Sequence, residues 1–273
     1  MIRLLRRSLS TLALLLWFSA SALAEATTVC TLVVDAKSGA SLLEDGDCDT
    51  RVTPASTFKV PLAVIGFDSG FLKDSNQPRL AFRTGDPDWG GAAWRQDNTP
   101  ASWMRYSVVW YSQRITHTLG AEVLRRYTLA LAYGNADFSG DAGFDNGLDR
   151  AWIASSLAVS PREQTSFLRA LVNDTLSVSK DAMAKTRALV ETRSVGPWVI
   201  HGKTGAAYPR KADRRFDYAR GWGWFVGWAE KDGRTVVFAR LTKANERTKQ
   251  SPGILTRDKF FAVWPKLMSR ASR

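Results

Sequence analysis

The sequence predicts an α+β fold: an antiparallel sheet completed by both ends of the chain, with flanking helices and a helical block between. Three observations predict it. A strand hairpin signal opens the chain beyond its leader, three strand-like segments lie near the C-terminus, and the middle carries apolar residues at helical spacing.

The first element is a leader. Arg3, Arg6 and Arg7 precede an apolar run from Leu9 to Phe18, and Ala22-Leu23-Ala24 has the small-x-small form that signal peptidase cleaves. The run falls short of the ~20 residues a membrane span needs, so residues 1–24 read as a removed secretory signal. No later stretch is apolar and long enough to span a bilayer. The expected location is the periplasm, with no membrane span after cleavage.

The hairpin follows, with Val29 to Val34 and Ser41 to Glu44 as strands and Gly39 in the turn. Cys30 and Cys48, the only cysteines, are centred on that turn. Opposite one another on an antiparallel pair in an oxidising compartment, they would form a disulfide worth ~3 kcal/mol. Pro61 is tolerated only in the first turn of a helix, so a helix carrying Val60, Leu62, Ala63, Val64 and Ile65 begins close to Ser56.

From Gly70 to Pro100 the chain is loop-like, punctuated by Pro78, Gly85, Pro87, Gly90 and Gly91, with Trp89 and Trp94 expected to pack. Leu119, Val123, Leu124, Tyr127 and Leu131 share a helical spacing, and Ser160-Pro161-Arg162-Glu163 is a capping box. The late strands are Trp198 to Thr204, Gly221 to Ala229 and Thr235 to Leu241, the last two joined by Lys231-Asp232-Gly233. A final helix from Leu255 to Met268 meets Pro265, which is expected to kink or end it. No internal repeat or low-complexity segment interrupts the pattern.

The chain holds 38 Lys and Arg against 26 Asp and Glu, a formal net charge of +12, and loss of the leader brings this to about +9. A basic, Trp-rich protein suits nucleic acid. An exported one meets the acidic polymers of an envelope instead, and no nucleic-acid partner is expected.

Four strings carry the chemistry: Ser56-Thr57-Phe58-Lys59, Ser107-Val108-Val109, Tyr133-Gly134-Asn135 and Lys203-Thr204-Gly205. Ser-x-x-Lys alone is weak, since Ser177-Val178-Ser179-Lys180 also fits; there the serines read as a cap for the helix carrying Ala182, Ala184, Ala188, Leu189 and Val190. The first copy differs. It sets a hydroxyl at the positive end of a helix with Lys59 one turn on, beside Phe58, Val60 and Leu62, which would desolvate the amine and make it a base.

Gly196 before Gly202-Lys203-Thr204 suggests a phosphate loop, but five residues intervene where four are needed. A strand ending in Lys-Thr-Gly offers instead a cation, a hydroxyl and an uncrowded edge for a substrate amide. The only histidines, His117 and His201, lack the Gly-x-Ser-x-Gly elbow of a hydrolase triad, and no metal site is recognisable.

In this order and spacing the four strings resemble the class D (oxacillinase-type) serine β-lactamases over nearly the whole mature chain. The resemblance implies the β-lactamase/DD-peptidase-like fold in one domain over residues 25–273. Its sheet lobe would span about 25–66 and 190–273, its helical lobe about 67–189.

It also implies roles. Ser56 would be the acylated nucleophile, and Lys59 the general base, N-carboxylated by CO2 or bicarbonate with no other cofactor. Trp152 would donate its indole N–H to that group, Val109 would shield it, and Ser107 would relay a proton to the departing nitrogen. The amides of Ser56 and Ala206 would form an oxyanion hole. Lys203, Thr204 and an arginine of the last helix would grip the substrate carboxylate along the Gly205 edge. Arg257 is taken as that arginine, with Arg247 as fallback because the segment from Ser251 to Arg257 runs one residue longer than the family pattern. Tyr133 and Asn135 would support the site or act in it.

The function implied is hydrolysis of small-molecule β-lactams. A D-Ala-D-Ala peptidase and a β-lactam sensor that stays acylated are the alternatives. Substrate range would depend on loops around Trp94, Trp103, Ile153 and the segment from Ala206 to Arg220, whose basic run Arg210, Lys211, Arg214 and Arg215 reads as a solvated loop. No feature of the sequence assigns an oligomeric state.

Overall fold

The computed structural model describes residues 26–270; the leader expected over residues 1–24 lies outside them. A six-stranded antiparallel sheet forms the centre. Its strands are β1 (Thr27–Asp35), β2 (Ser41–Gly46), β3 (Thr192–Val195), β4 (Trp198–Ala207), β5 (Trp222–Lys231) and β6 (Arg234–Lys243), in the order β2-β1-β6-β5-β4-β3. Both ends of the chain thus meet in one sheet, through the pairing of β1 with β6.

The β5–β6 hairpin forms as its Asp-Gly signal indicates: Asp232 and Gly233 both have positive φ, 50° and 76°, which suits a tight turn between twisted strands. Strand β3 is absent from the sequence-based expectation. Four residues long, polar and largely exposed at the sheet edge, it lacks the apolar alternation that marks a strand.

The opening hairpin also holds, with one correction. Cys30 stands opposite Gly46, not Cys48, because the register shifts between Val33 and Val34 and β2 ends before Cys48. The Cys30–Cys48 disulfide forms all the same, from the strand to the segment just past its partner.

Helices cover both faces. A 3-10 turn at Ala55–Phe58 leads into α1 (Lys59–Asp68), followed by α2 (Pro100–Tyr106), α3 (Val109–Leu119), α4 (Ala121–Ala130), α5 (Gly147–Arg150), α6 (Pro161–Val172) and α7 (Lys180–Leu189). These share the larger core with Trp224, Val226, Trp228, Val237, Ala239 and Leu241 of the sheet. On the opposite face α8 (Pro252–Arg270) buries Phe260 and Trp264 against Phe225 and Phe238.

α1 is buried from Lys59 through Phe67, all round its axis, as expected of a helix at the centre of a core. Burial of Leu62, Val64 and Ile65 stabilises it by about 1.5–3 kcal/mol each. Ser160 and Glu163 make the expected capping box, and Ser179 caps α7 by accepting from the Ala182 amide.

Three expectations need amendment. Leu119 ends α3 and is separated from α4 by Gly120 at φ 78°. Pro265 neither ends α8 nor prevents its continuing to Arg270. Of the two loop tryptophans Trp94 is buried, while Trp89 packs its ring on Trp94 at 5.4 Å yet stays 66% exposed.

Candidate active site

Ser56 sits in the 3-10 turn that starts α1. Ala55 before it takes φ 51°, a costly conformation for a residue with a Cβ. The turn is held by Pro54, whose carbonyl accepts from the Thr57 amide at 3.2 Å and hydroxyl at 2.7 Å.

One turn on, Lys59 is 1% exposed and its Nζ has no hydrogen-bond partner. Burial pushes this amine well below its ordinary value, and the charge of Lys203 adds to the effect. The cause is the apolar helix carrying it: the spacing that joins Lys59 to Ser56 also plants it in the core.

Lys203 lies on β4, likewise buried. Its Nζ donates to Ser107 Oγ at 2.6 Å and to the Thr204 carbonyl at 3.2 Å. Burial lowers it to about 8; Glu191 opposes this shift and Arg257 adds to it. Ser107 reaches it from the C-terminus of α2 in the left-handed conformation, φ 56° and ψ 36°. Such strain in a non-glycine residue costs about 1–3 kcal/mol and aims the side chain at a fixed point.

β4 runs close beside the Ser56 turn. A Cβ at Gly205 would stand 2.8 Å from the Pro54 carbonyl oxygen and 3.2 Å from the Thr57 amide nitrogen, so only glycine allows the approach. Gly253 of α8 packs as tightly on the other side, where a Cβ would meet the Gly205 carbonyl oxygen at 2.4 Å. Three elements converge on one strand residue without side chains.

Between them lies a cleft of about 660 Å³. Ser56, Ser107, Val109, Thr204, Gly205, Ala206 and Arg257 line it. Lys59 and Lys203 are buried behind that wall. Arg257 bonds Asp258 through Nε at 2.9 Å, whereas the Arg247 guanidinium lies over the Tyr218 ring and is not on the wall. His117, bonded to Asp149, and His201, stacked on Trp228, do not line the cleft either. Among the described residues no group of three or more His, Cys, Asp or Glu is placed to hold a metal.

Trp152 and Tyr133 both pack against Phe58 of the Ser56–Lys59 turn, and neither is on the cleft wall. Trp152 stacks on Phe58 at 5.7 Å, and its carbonyl accepts from Thr53 Oγ1 at 2.9 Å, tying its loop to the segment ahead of Ser56. Tyr133 contacts Phe58 at 5.9 Å; its hydroxyl donates to Gln164 Oε1, and Gln164 Nε2 donates to Thr57 Oγ1 at 2.7 Å. Burial raises the Tyr133 phenol. Asn135 donates to the Ser156 carbonyl at 2.8 Å and accepts from the Ala158 amide at 3.0 Å, bracing the loop that carries Trp152.

Several wall residues belong to no motif. Arg105, Tyr106, Glu191, Tyr208 and Lys249 line the cleft, the first two just ahead of Ser107 and Tyr208 just after the Lys203-Thr204-Gly205 string. The basic run after β4 is not merely solvated. Arg210 bonds Asp141 at 3.0 Å and covers the Phe216 ring at 4.3 Å, and Arg214 covers Phe144 at 4.6 Å. These contacts fasten the loop to the segment before α5.

The chain matches the family model of the penicillin binding protein transpeptidase domain over residues 29–261. It is 40% identical over 248 residues to beta-lactamase OXA-9 of Klebsiella pneumoniae, covering 89% of each chain. To beta-lactamase OXA-1 of Escherichia coli it is 35% identical over 230 residues, covering 83% of this chain and 80% of that one. The crystal structure of OXA-427 class D beta-lactamase superposes with a TM-score of 0.82 at 42% identity, covering 90% of this chain and 100% of its own.

Proposed function

The chain belongs to the class D serine β-lactamases, which hydrolyse β-lactams, and from that premise we propose that Ser56 is the acylated nucleophile and Lys59 its general base. The observation that carries the reading is the Lys59 amine, one turn from Ser56, buried and without a partner. Burial favours the neutral form of this amine over the charged one, and the neutral form is the one that adds CO2. The residues fit that modification: an orphaned buried nitrogen, with Trp152 stacked on the adjoining Phe58 and Val109 on the cleft wall. When bound, CO2 supplies a carbamate oxygen able to take a proton from a hydroxyl or a water.

Ser56 Oγ attacks the lactam carbonyl as its proton leaves toward Lys59. The Ser56 and Ala206 amides receive the charge on the carbonyl oxygen, a service worth about 3–4 kcal/mol per donor in comparable sites. The C–N bond then breaks, and Ser107, held by Lys203, passes a proton to the ring nitrogen. A water activated at Lys59 releases the acyl group from Ser56. Lys203, Thr204 and Arg257 hold the substrate carboxylate, and Arg257 is preferred to Arg247 because it lies on the cleft wall. Tyr133 and Asn135 position the turn and the Trp152 loop.

We further read residues 25–273 as one domain acting in the periplasm after removal of residues 1–24. Among the described residues no helix is long and apolar enough to cross a membrane.

The test follows a chromogenic cephalosporin over many enzyme equivalents, with and without bicarbonate. Sustained turnover that rises with bicarbonate and collapses in Lys59→Ala is expected. A single stoichiometric burst, with the acyl group retained on Ser56, would replace this reading with a peptidase or a sensor.

A further inference from the structure

Asp141 lies between α4 and α5, and its carboxylate is only 15% exposed. One of its oxygens, Oδ2, accepts from Arg210 Nη2 at 3.0 Å and from Asn146 Nδ2 at 3.2 Å, and stands 3.5 Å from Arg150 Nε. The two guanidiniums also share a ring: Arg210 lies over Phe216 at 4.3 Å and Arg150 at 5.4 Å. Arg150 Nε and Nη2 are buried without a hydrogen-bond partner, and the neighbouring Asp149 is bonded to His117. Its charge is balanced through the ion pair with Asp141.

The two arginines belong to two different segments of the cleft wall. Arg150 ends α5, three residues before Ile153, whereas Arg210 follows β4, two residues after Tyr208; Ile153 and Tyr208 both line the cleft. Rings carry the Arg210 contact back to that wall, since Phe216 meets Tyr218 at 6.2 Å and Tyr218 meets Tyr208 at 4.8 Å. One carboxylate thus ties together two stretches of chain that are adjacent only in the fold. Without it two cations would face one ring, and the more buried of them would lose its counter-ion. Their repulsion would drive the two segments apart.

We propose that Asp141 is a positioning residue that sets the spacing of Ile153 and Tyr208, and with it the size of the substrate side chain the cleft accepts. The inference rests on reading the cleft as the β-lactam site, with Lys203 at the substrate carboxylate. The substrate amide then runs along Gly205 and Ala206, and its acyl side chain leaves β4 at the Tyr208 end. Asp141 touches no substrate; it acts through the two arginines and the segments they carry.

The experiment measures kcat/KM for cephalothin and cefotaxime, which share one ring system and differ in the acyl side chain, the cefotaxime one being bulkier. In Asp141→Asn the cefotaxime-to-cephalothin ratio is expected to rise about tenfold, the low end of what steric fit in a pocket discriminates. A merely structural role lowers the amount of folded enzyme, which scales both rates alike and leaves the ratio fixed. Arg210→Ala should move the ratio the same way, and the double variant should move it no further than Asp141→Asn does, because one carboxylate holds both ends. An unchanged or lower ratio in Asp141→Asn would overturn the inference, and so would shifts that add in the double variant. Should Asp141→Asn fail to fold, Arg210→Ala decides alone, with a raised ratio expected and an unmoved one overturning it. Wild-type protein that hydrolyses neither compound would remove the β-lactam reading itself, and this inference with it.

Discussion

Lys203 Nζ donates to Ser107 Oγ at 2.6 Å, joining β4 to the strained end of α2 across the back of the cleft. A cation can only donate, so the Ser107 hydroxyl must turn its own hydrogen elsewhere. That leaves it poised to give a proton to a leaving nitrogen. Ser107→Ala is expected to lower kcat by about 10²–10⁴-fold, the range for a lost proton transfer. Pre-steady-state acylation of Ser56 should slow with it. Acylation at the wild-type rate would remove Ser107 from the relay.

Lys59 makes the fold less stable for the sake of chemistry. Its folded value lies well below 10.5 while the unfolded chain keeps the ordinary one, so the unfolded state binds more protons between those limits. Stability therefore rises with pH across that window. In bicarbonate-free buffer Lys59→Met is expected to flatten the dependence and raise the unfolding midpoint at pH 7 by about 2–4 °C per kcal/mol recovered, with turnover lost. Calorimetry across pH checks it; a less stable variant would mean the amine is not neutral in the fold.

Trp152→Phe keeps an aromatic ring against Phe58 but removes the indole donor. A hydrogen bond to a charged group contributes about 1.5–3 kcal/mol. The bicarbonate concentration giving half-maximal activity should rise roughly tenfold or more. Were the bicarbonate titration unchanged, Trp152 would be a packing residue only.

Gly205→Ala places a methyl group 2.8 Å from the Pro54 carbonyl oxygen and must push β4 away from the Ser56 turn. A displacement approaching 1 Å costs up to about 10²-fold in rate. We expect kcat/KM to fall by about 10-fold or more. Wild-type turnover would show that the close approach of the strand is dispensable.

The Cys30–Cys48 bridge spans a separation of 18 residues and lies at the β1–β2 edge. Dithiothreitol, or Cys30→Ser with Cys48→Ser, is expected to lower stability by about 3 kcal/mol and leave turnover at 25 °C intact. Denaturant unfolding with parallel assays checks both halves of the expectation.

Short-range chemistry is what the chain spells out residue by residue. Pro61 and the apolar run after Lys59 set a buried helix starting close to Ser56; Asp232-Gly233 set a hairpin; Ser160 with Glu163 and Ser179 set helix starts. The order of the four strings pointed to the family, because each string is local. Docking of distant segments decided the rest. That Cys30 faces Gly46 follows from one irregularity in β1, and that β3 exists follows from an edge supplied by β4, since its own residues bury too little to announce a strand. Glu191 and Arg105 come together on the cleft wall, Arg210 onto Phe216, and Arg257 rather than Arg247 onto that wall, only once sheet and helices are docked. Electrostatic and ring contacts of that kind leave no periodicity in the sequence, because they are set by packing geometry and not by spacing along the chain.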